Sequence, residues 1–385
     1  MKIAIMGAGP SGLFLAILLK QGLKSVDIQV YEQNPRDATF GFGVVLADTG
    51  LANLQAAAPD VCRKLIQAMR FSDKHTIVTR DHPIVIQRPG QGGGAIPRIV
   101  LLSILQEQAQ ALGIEVAYGS RCADYDSLQA DLIVGADGVN SQLRETHHAA
   151  FGASRRHLSN HFAWYGVGKA FPNPALVFRK HQEGYFVAHY YPYSENMSTF
   201  VAECDHRTWQ ELGMEDMSED ARKGLFEEVY APELDSHALV SNNSFWRQFP
   251  VVRAETWFTG NKVLVGDALN SAHFSIGSGT RIAMEDSIAL AHVLQASPAD
   301  LQAALQRYVR SRKPQKQKLI RASEASFNWY ENMRRWMDTY SPYEFVLSFM
   351  TRTGRVDAAR LRKQYPELVR QFAEAGIGRN GELPA

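Results

Sequence analysis

Residues 2–6, Lys-Ile-Ala-Ile-Met, run directly into Gly7-Ala-Gly9-Pro10-Ser11-Gly12 and then into an apolar stretch, residues 13–20. No other feature constrains the fold as tightly. A short apolar, partly β-branched run reads as a strand buried on both faces of a parallel sheet. G-x-G-x-x-G between such a strand and a helix dictates a strand–turn–helix unit. Gly7 permits the tight turn, Gly9 admits a close approach to the backbone, and Gly12 lets the helix pack tightly on the strand. Residues 27–31 read as a second strand ending at Glu32, 20 residues beyond Gly12. The unit favours a pyrophosphate at the positive end of the helix, beside Pro10 and Ser11, and a ribose within reach of Glu32. Taken alone it fits FAD and NAD equally.

Two later motifs narrow the choice. Residues 131–134 form another short apolar run, leading into Gly135-Ala-Asp137-Gly138-x-x-Ser141-x-x-Arg144. A third run, residues 262–265, leads into Gly266-Asp267-Ala268, followed by a loop of small residues through Gly277, Ser278 and Gly279 and a helix starting at Thr280. A loop that meets a helix N-terminus can offer backbone N–H groups to an electron-rich ring edge. Arg98 stands just before a helical run over residues 99–112.

In this order the motifs resemble the single-component FAD-dependent aromatic monooxygenases, the flavoprotein hydroxylases. The resemblance implies that Asp137 and Gly138 lie near the FAD pyrophosphate, with Arg144 completing that motif. It also implies that Asp267 contacts ribityl or ribose hydroxyls and that Arg98 reaches the phosphates. The string Asn270-Ser-Ala-His273-Phe-Ser-Ile-Gly277-Ser-Gly279 departs from the usual pattern, which carries His at position 270 and Pro at position 273. It is similar instead to the salicylyl-CoA 5-hydroxylase and 2-aminobenzoyl-CoA monooxygenase type, and to the indole hydroxylase of violacein biosynthesis. Phe40-Gly-Phe-Gly-Val-Val45, Trp164-Tyr-Gly166 and Ala188-His189 agree with that placement. None of the six tryptophans forms the W-x-W pair of flavin-dependent halogenases.

The fold implied is α/β, para-hydroxybenzoate hydroxylase-like: a Rossmann-type FAD-binding domain with an inserted β-rich substrate domain and a helical C-terminus. The boundaries read as 1–150 and 256–300 for the FAD-binding parts, 151–255 for the substrate domain and 301–385 for the helical region. The implied reaction is hydroxylation of an electron-rich aromatic ring through a flavin C4a-hydroperoxide, with NADH or NADPH as co-substrate and O2 as oxidant. The leading substrate is an amino- or hydroxy-aromatic compound, a CoA thioester among the options. An indolic, tryptophan-derived or hydroxypyridine substrate is the alternative. A flavin oxidase or dehydrogenase without oxygen insertion and a flavin-binding sensor remain open.

His273, six residues past Asp267, is the leading catalytic candidate, either donating a hydrogen bond at the reacting edge or accepting a proton. A purely structural histidine under the loop fits the sequence equally. His189 and Tyr191, on an expected strand, come second. Alternating aromatic residues over 162–171 and 185–193 would wall the flavin on one face and build a core on the other. Residues 90–94 read as a flexible loop.

A net charge of +1 provides no overall field for nucleic acid or anionic membrane. The longest nearby apolar run, residues 13–19, is too short to cross a bilayer. Cys62, Cys122 and Cys204 form no metal-like cluster and suit a cytoplasmic protein, a monomer or homodimer, with no metal site. The basic run Arg307, Arg310, Arg312, Lys313, Lys316, Lys318 and Arg321 reads as a solvated helix face or a surface for CoA phosphates.

Overall fold

A computed structural model describes residues 1–377 apart from 24, 39–40, 47, 89–92 and 123. Three sheets organise the described residues. In the first, strands Lys262–Leu264, Leu132–Gly135, Lys2–Met6, Asp27–Tyr31 and Glu115–Ala117 lie side by side and parallel, with Phe258–Thr259 antiparallel at one edge. All four residues of Leu132–Gly135 and the last four of Lys2–Met6 are buried, as continuous apolar runs in a two-sided sheet require.

Helix Pro10–Gly22 follows the first glycine motif, with Pro10 in its first turn, where a missing N–H costs nothing. Residues Ser11 to Leu19 of this helix are all buried. It packs against helices Gly279–Ala296 and Arg98–Ala111, both of which follow motifs read from the sequence. Burying Leu13, Phe14, Ile17 and Leu19 stabilises this layer by about 1.5–3 kcal/mol per side chain.

The second sheet has eight strands in the order Leu239–Ser241, Ala153–Val167, Ser198–Cys204, Gly184–Pro192, Ala175–His181, Lys74–Thr79, His82–Gln87, with Arg247–Ala254 also paired to Ala153–Val167. Its faces divide by residue parity. Phe186, Ala188 and Tyr190 join a core under helix Glu219–Val229, while Tyr185 and Val187 face the C-terminal helices and Tyr191 packs with Tyr193 and Ala95.

The expectation of a strand–helix alternation confined to one domain through residue 150 meets a difference here. Strands Lys74–Thr79 and His82–Gln87 extend the eight-stranded sheet, and Gly43–Leu46, Gly93–Pro97 and Arg70–Ser72 form a third, small one. Period-2 patterning identifies a strand but not which sheet it joins. Gly93 and Gly94, read as part of a flexible loop, are in a strand; positions 90–92 of that loop lie outside the described residues.

Helix Leu301–Glu331 continues through Pro314 and is followed by shorter helices to residue 374. No helix among the described residues is long and apolar enough to cross a membrane.

Candidate active site

The first, second and third motifs follow three neighbouring parallel strands, in the lateral order third, second, first, and Glu32 follows the next strand. Parallel strands present their carboxyl ends at one edge, where ligands bind in open α/β sheets. Segments as far apart in sequence as Gly7 and Thr280 thereby meet along one groove. Gly7, Gly9, Pro10, Ser11, Glu32, Arg98, Asp137, Gly138, Gly266, Asp267 and Thr280 all line it.

The glycines act as their positions require. Gly7 has φ of 101°, and a Cβ there would come within 2.5 Å of the Ala136 carbonyl oxygen. A Cβ on Gly12 would overlap the Gly7 carbonyl oxygen. At Gly9 nothing lies within 4 Å of a Cβ position, so the backbone is open to the groove. That open face at the start of a 13-residue helix suits a pyrophosphate.

Glu32 is held by Ala8 N–H at 2.9 Å and by Asn34 N–H and side-chain amide at 2.8 and 2.7 Å. Oε1 already takes both Asn34 donors, whereas Oε2, with Ala8 N–H alone, keeps acceptor capacity for a ligand hydroxyl. Asp137 Oδ2 accepts from Gln142 N–H at 2.8 Å, whereas its buried Oδ1 has no partner. Burial pushes the Asp137 carboxyl up from its ordinary range. The Arg98 guanidinium forms no ion pair among the described residues; burial pulls its pKa down, while Asp267 and Tyr191 oppose the shift. Burial likewise raises Asp267, against the pull of Lys316 and Arg98. An unpaired carboxylate oxygen, an unpaired guanidinium and an open glycine face along one groove fit a ligand carrying both phosphates and sugar hydroxyls.

Arg144 behaves differently from the sequence expectation. It is 1 % exposed and does not line the groove. Its Nη1 donates to Ala268 O at 3.0 Å and its Nη2 to Val139 O at 2.9 Å, so it joins the second motif to the third. Gly277, Ser278 and Gly279 also stand off the groove wall, leading into Thr280, which reaches it. Ser11 lines the groove but points its hydroxyl at Ala283 O and Ser287 Oγ, pinning the two helices together.

Sequence reasoning missed the support of Gly266–Asp267. Asp286 Oδ2 accepts from Gly266 N–H at 3.0 Å, and Lys316 Nζ donates to Gly266 O at 3.2 Å and pairs with Asp286. Arg312 pairs with both Asp286 and Glu285, at 2.8 and 3.1 Å. Two members of the supposed solvated basic run are therefore buried at 5 % and 1 % exposure, out of reach of a coenzyme phosphate. The signal was present as a four-residue spacing from Arg312 to Lys316, which puts both on one helix face.

The catalytic candidates gather beyond the groove. His273 is buried, and its Nδ1 accepts from Ser275 N–H at 3.2 Å, capping the one-turn helix Phe274–Ile276. Burial, with Arg352 nearby, lowers its pKa to about 3, so the ring is neutral and its proton sits on Nε2. Tyr191 donates to Gly43 O at 2.9 Å, and burial pushes its pKa up to about 12. This ties the eight-stranded sheet to strand Gly43–Leu46. His189 lies beside Tyr191, ring centroids 5.3 Å apart, with its pKa pulled to about 4 by burial and then by Arg352. Phe162, Trp164 and Phe249 surround Phe274 at centroid distances of 4.8, 5.4 and 6.2 Å, and the Arg247 guanidinium sits 5.6 Å from both Phe162 and Trp164.

Residues 101–323 match the FAD binding domain family. The chain is 37% identical over 363 residues to salicyloyl-CoA 5-hydroxylase of a Streptomyces species, covering 92% of this chain and 70% of that one. It is 33% identical over 360 residues to protodeoxyviolaceinate monooxygenase of Chromobacterium violaceum, covering 91% and 94%. Among solved structures, 2-methyl-3-hydroxypyridine-5-carboxylic acid oxygenase superposes with a TM-score of 0.74 at 20% identity, over 94% of this chain and 98% of that one. That likeness establishes the α/β hydroxylase fold. The protein belongs to the FAD-dependent aromatic monooxygenase family. Within it, both subgroups suggested by the His273-containing string are represented among its relatives.

Proposed function

We propose that this enzyme uses NADH or NADPH and O2 to hydroxylate an electron-rich amino- or hydroxy-aromatic ring, presented as a CoA thioester. The observation that carries the reading is the single groove shared by all three motifs, together with the aromatic cluster around Phe274 on the turn that follows the Gly266–Asp267 motif. FAD held in this groove would, once reduced by the nicotinamide, activate O2 for transfer to the ring.

The chain's own residues have four tasks. Gly7, Gly9 and the first turn of helix Pro10–Gly22 take the pyrophosphate, with Arg98 as a nearby cation. Glu32, Asp137 and Asp267 accept from sugar and ribityl hydroxyls. Phe162, Trp164, Phe249 and Phe274 hold the substrate ring and exclude water, which limits wasteful loss of hydrogen peroxide. His273, neutral with its proton on Nε2, donates a hydrogen bond at the reacting edge, and its lowered pKa leaves it a weak base. His189 and Tyr191 shape the wall. Three free cysteines fit work in the cytoplasm, as a monomer or homodimer.

The test is incorporation of 18O from labelled O2 into product, with flavin reduction by NADH and NADPH followed anaerobically across a panel of aromatics. The panel holds salicylyl-CoA, 2-aminobenzoyl-CoA, free salicylate and indolic acids. Label in the product and reduction accelerated by one compound support the reading. Oxidation without label assigns an oxidase, and no turnover of NAD(P)H with any aromatic assigns a sensor.

A further inference from the structure

The turn Phe274–Ile276 borders more than the aromatic wall. Ser275 and Ile276 also line a cleft formed by the outer strands of the eight-stranded sheet and the C-terminal helices. His75 comes from strand Lys74–Thr79, Arg88 follows strand His82–Gln87, Arg352 and Arg355 follow helix Pro342–Thr351, and Arg360 lies on helix Ala358–Gln364. With Lys74, the lining holds five permanent cations against one carboxylate, Asp73.

None of these five cations forms an ion pair among the described residues, although the chain pairs many other arginines. Arg88 Nε is buried without a hydrogen-bond partner. Arg352 is fixed rather than free: its Nε donates to Ser326 Oγ at 2.9 Å, its Nη2 to Ser275 O at 3.0 Å, and its guanidinium lies 3.7 Å from the Phe349 ring centroid. Gathering guanidinium groups without counter-charges is unfavourable through mutual repulsion, and a polyanion in the cleft offsets that cost. Arginine's planar fork matches phosphate oxygens bidentately.

We infer that this cleft binds the phosphate-bearing end of the substrate, the nucleotide of a coenzyme A thioester, while the acyl ring enters the aromatic wall on the shared turn. The inference rests on the thioester reading above. Of the basic run on helix Leu301–Glu331, Arg312 and Lys316 are consumed internally, which leaves that surface with fewer open cations than its sequence suggests. A nicotinamide dinucleotide phosphate shares the adenine-nucleotide chemistry. The coenzyme A assignment is favoured because the cleft and the aromatic wall meet at one three-residue turn.

The experiment uses the FAD-loaded enzyme and its Arg355→Glu, Arg360→Glu and double variants. Arg355 and Arg360 are exposed, and neither lines the FAD groove. Coenzyme A and 3′-dephospho-coenzyme A are titrated by calorimetry, and the KM for NADPH is measured on the same samples, with flavin content and Tm as fold controls. The expected result is coenzyme A binding that weakens about tenfold per reversed charge, a smaller loss for the dephospho form, and an unchanged NADPH KM.

The inference is overturned by coenzyme A that fails to bind the unaltered enzyme, by an affinity that ignores both reversals, or by variants that shift the NADPH KM instead. Binding of a phosphopantetheinylated carrier protein without binding of coenzyme A also overturns it. An enzyme that hydroxylates free salicylate yet ignores coenzyme A keeps the monooxygenase reading and loses this one. Charge-sensitive coenzyme A binding by a protein that inserts no oxygen into any aromatic keeps the cleft assignment and removes the monooxygenase reading.

Discussion

Arg144 Nη1 donates to the carbonyl oxygen of Ala268 at 3.0 Å, joining two motifs separated by 124 residues of sequence. The same guanidinium reaches Val139 O, and it pairs with Glu145 at 2.7 Å. The arginine of the Asp-Gly motif therefore holds the groove together from behind. Replacing it by Ala leaves the buried Ala268 carbonyl and the half-buried Val139 carbonyl without this donor and opens a void, at a cost of about 2–4 kcal/mol. Arg144→Ala should lower Tm by several degrees and lose FAD as a consequence. Thermal unfolding with and without added FAD checks this; an unchanged Tm with selective FAD loss would place Arg144 in direct contact with the cofactor instead.

Asp267 presents the opposite case. It lines the groove, and burial already disfavours its charge. Asp267→Asn removes a half-buried carboxylate while conserving shape, so the fold should hold. FAD retention through gel filtration should fall about tenfold or more for loss of a charge-assisted hydrogen bond. The ratio of flavin to protein absorbance reads the effect directly, and a fully flavinated variant contradicts the role.

For His273 two variants separate its functions. His273→Ala removes both the cap on the Phe274–Ile276 turn and the Nε2 donor, whereas His273→Asn can restore the cap alone. FAD content should stay normal in both. The fraction of NAD(P)H consumption that yields hydroxylated product should drop in the Ala variant and stay low in the Asn variant. Full recovery with Asn assigns His273 to the cap only.

Glu203 gives a pH dependence with a defined sign. It is buried, accepts from Asn160 Nδ2 at 2.9 Å, and burial raises its pKa to about 8, with Glu331 adding to the shift. The folded state thus holds a proton that the unfolded chain releases near its ordinary pKa, about 4.3. Stability from this group is fully present below the unfolded pKa and declines as pH rises toward 8. Glu203→Gln keeps the hydrogen-bond shape without the titration, so its Tm should fall less between pH 5 and pH 8 than that of the unaltered protein. Parallel Tm curves would remove Glu203 from the account.

The strand–motif–helix units were legible because each is local. The burial of residues 2–6, the turn at Gly7 and the helix after Pro10 follow from steric and periodic rules within about 20 residues. The motif spacing and the His273-containing string were likewise enough to point to the FAD-dependent hydroxylases and to two subgroups among their relatives. Sheet membership was not legible, since strand Lys74–Thr79, which carries His82–Gln87 at its other edge, has no local mark of pairing across to Ala175–His181.

Charge was the hardest to read. Arg312 and Lys316 look like a solvated face in sequence and are buried on Asp286 and Glu285, while Arg88, Arg352, Arg355 and Arg360 look scattered and share one cleft. By itself the sequence determined the cofactor-domain units and the family, because glycine sterics and strand and helix periods act between near neighbours. Only the tertiary structure decided which charges are paired and which remain open, because that depends on the partners that distant strands and helices bring within a few ångströms.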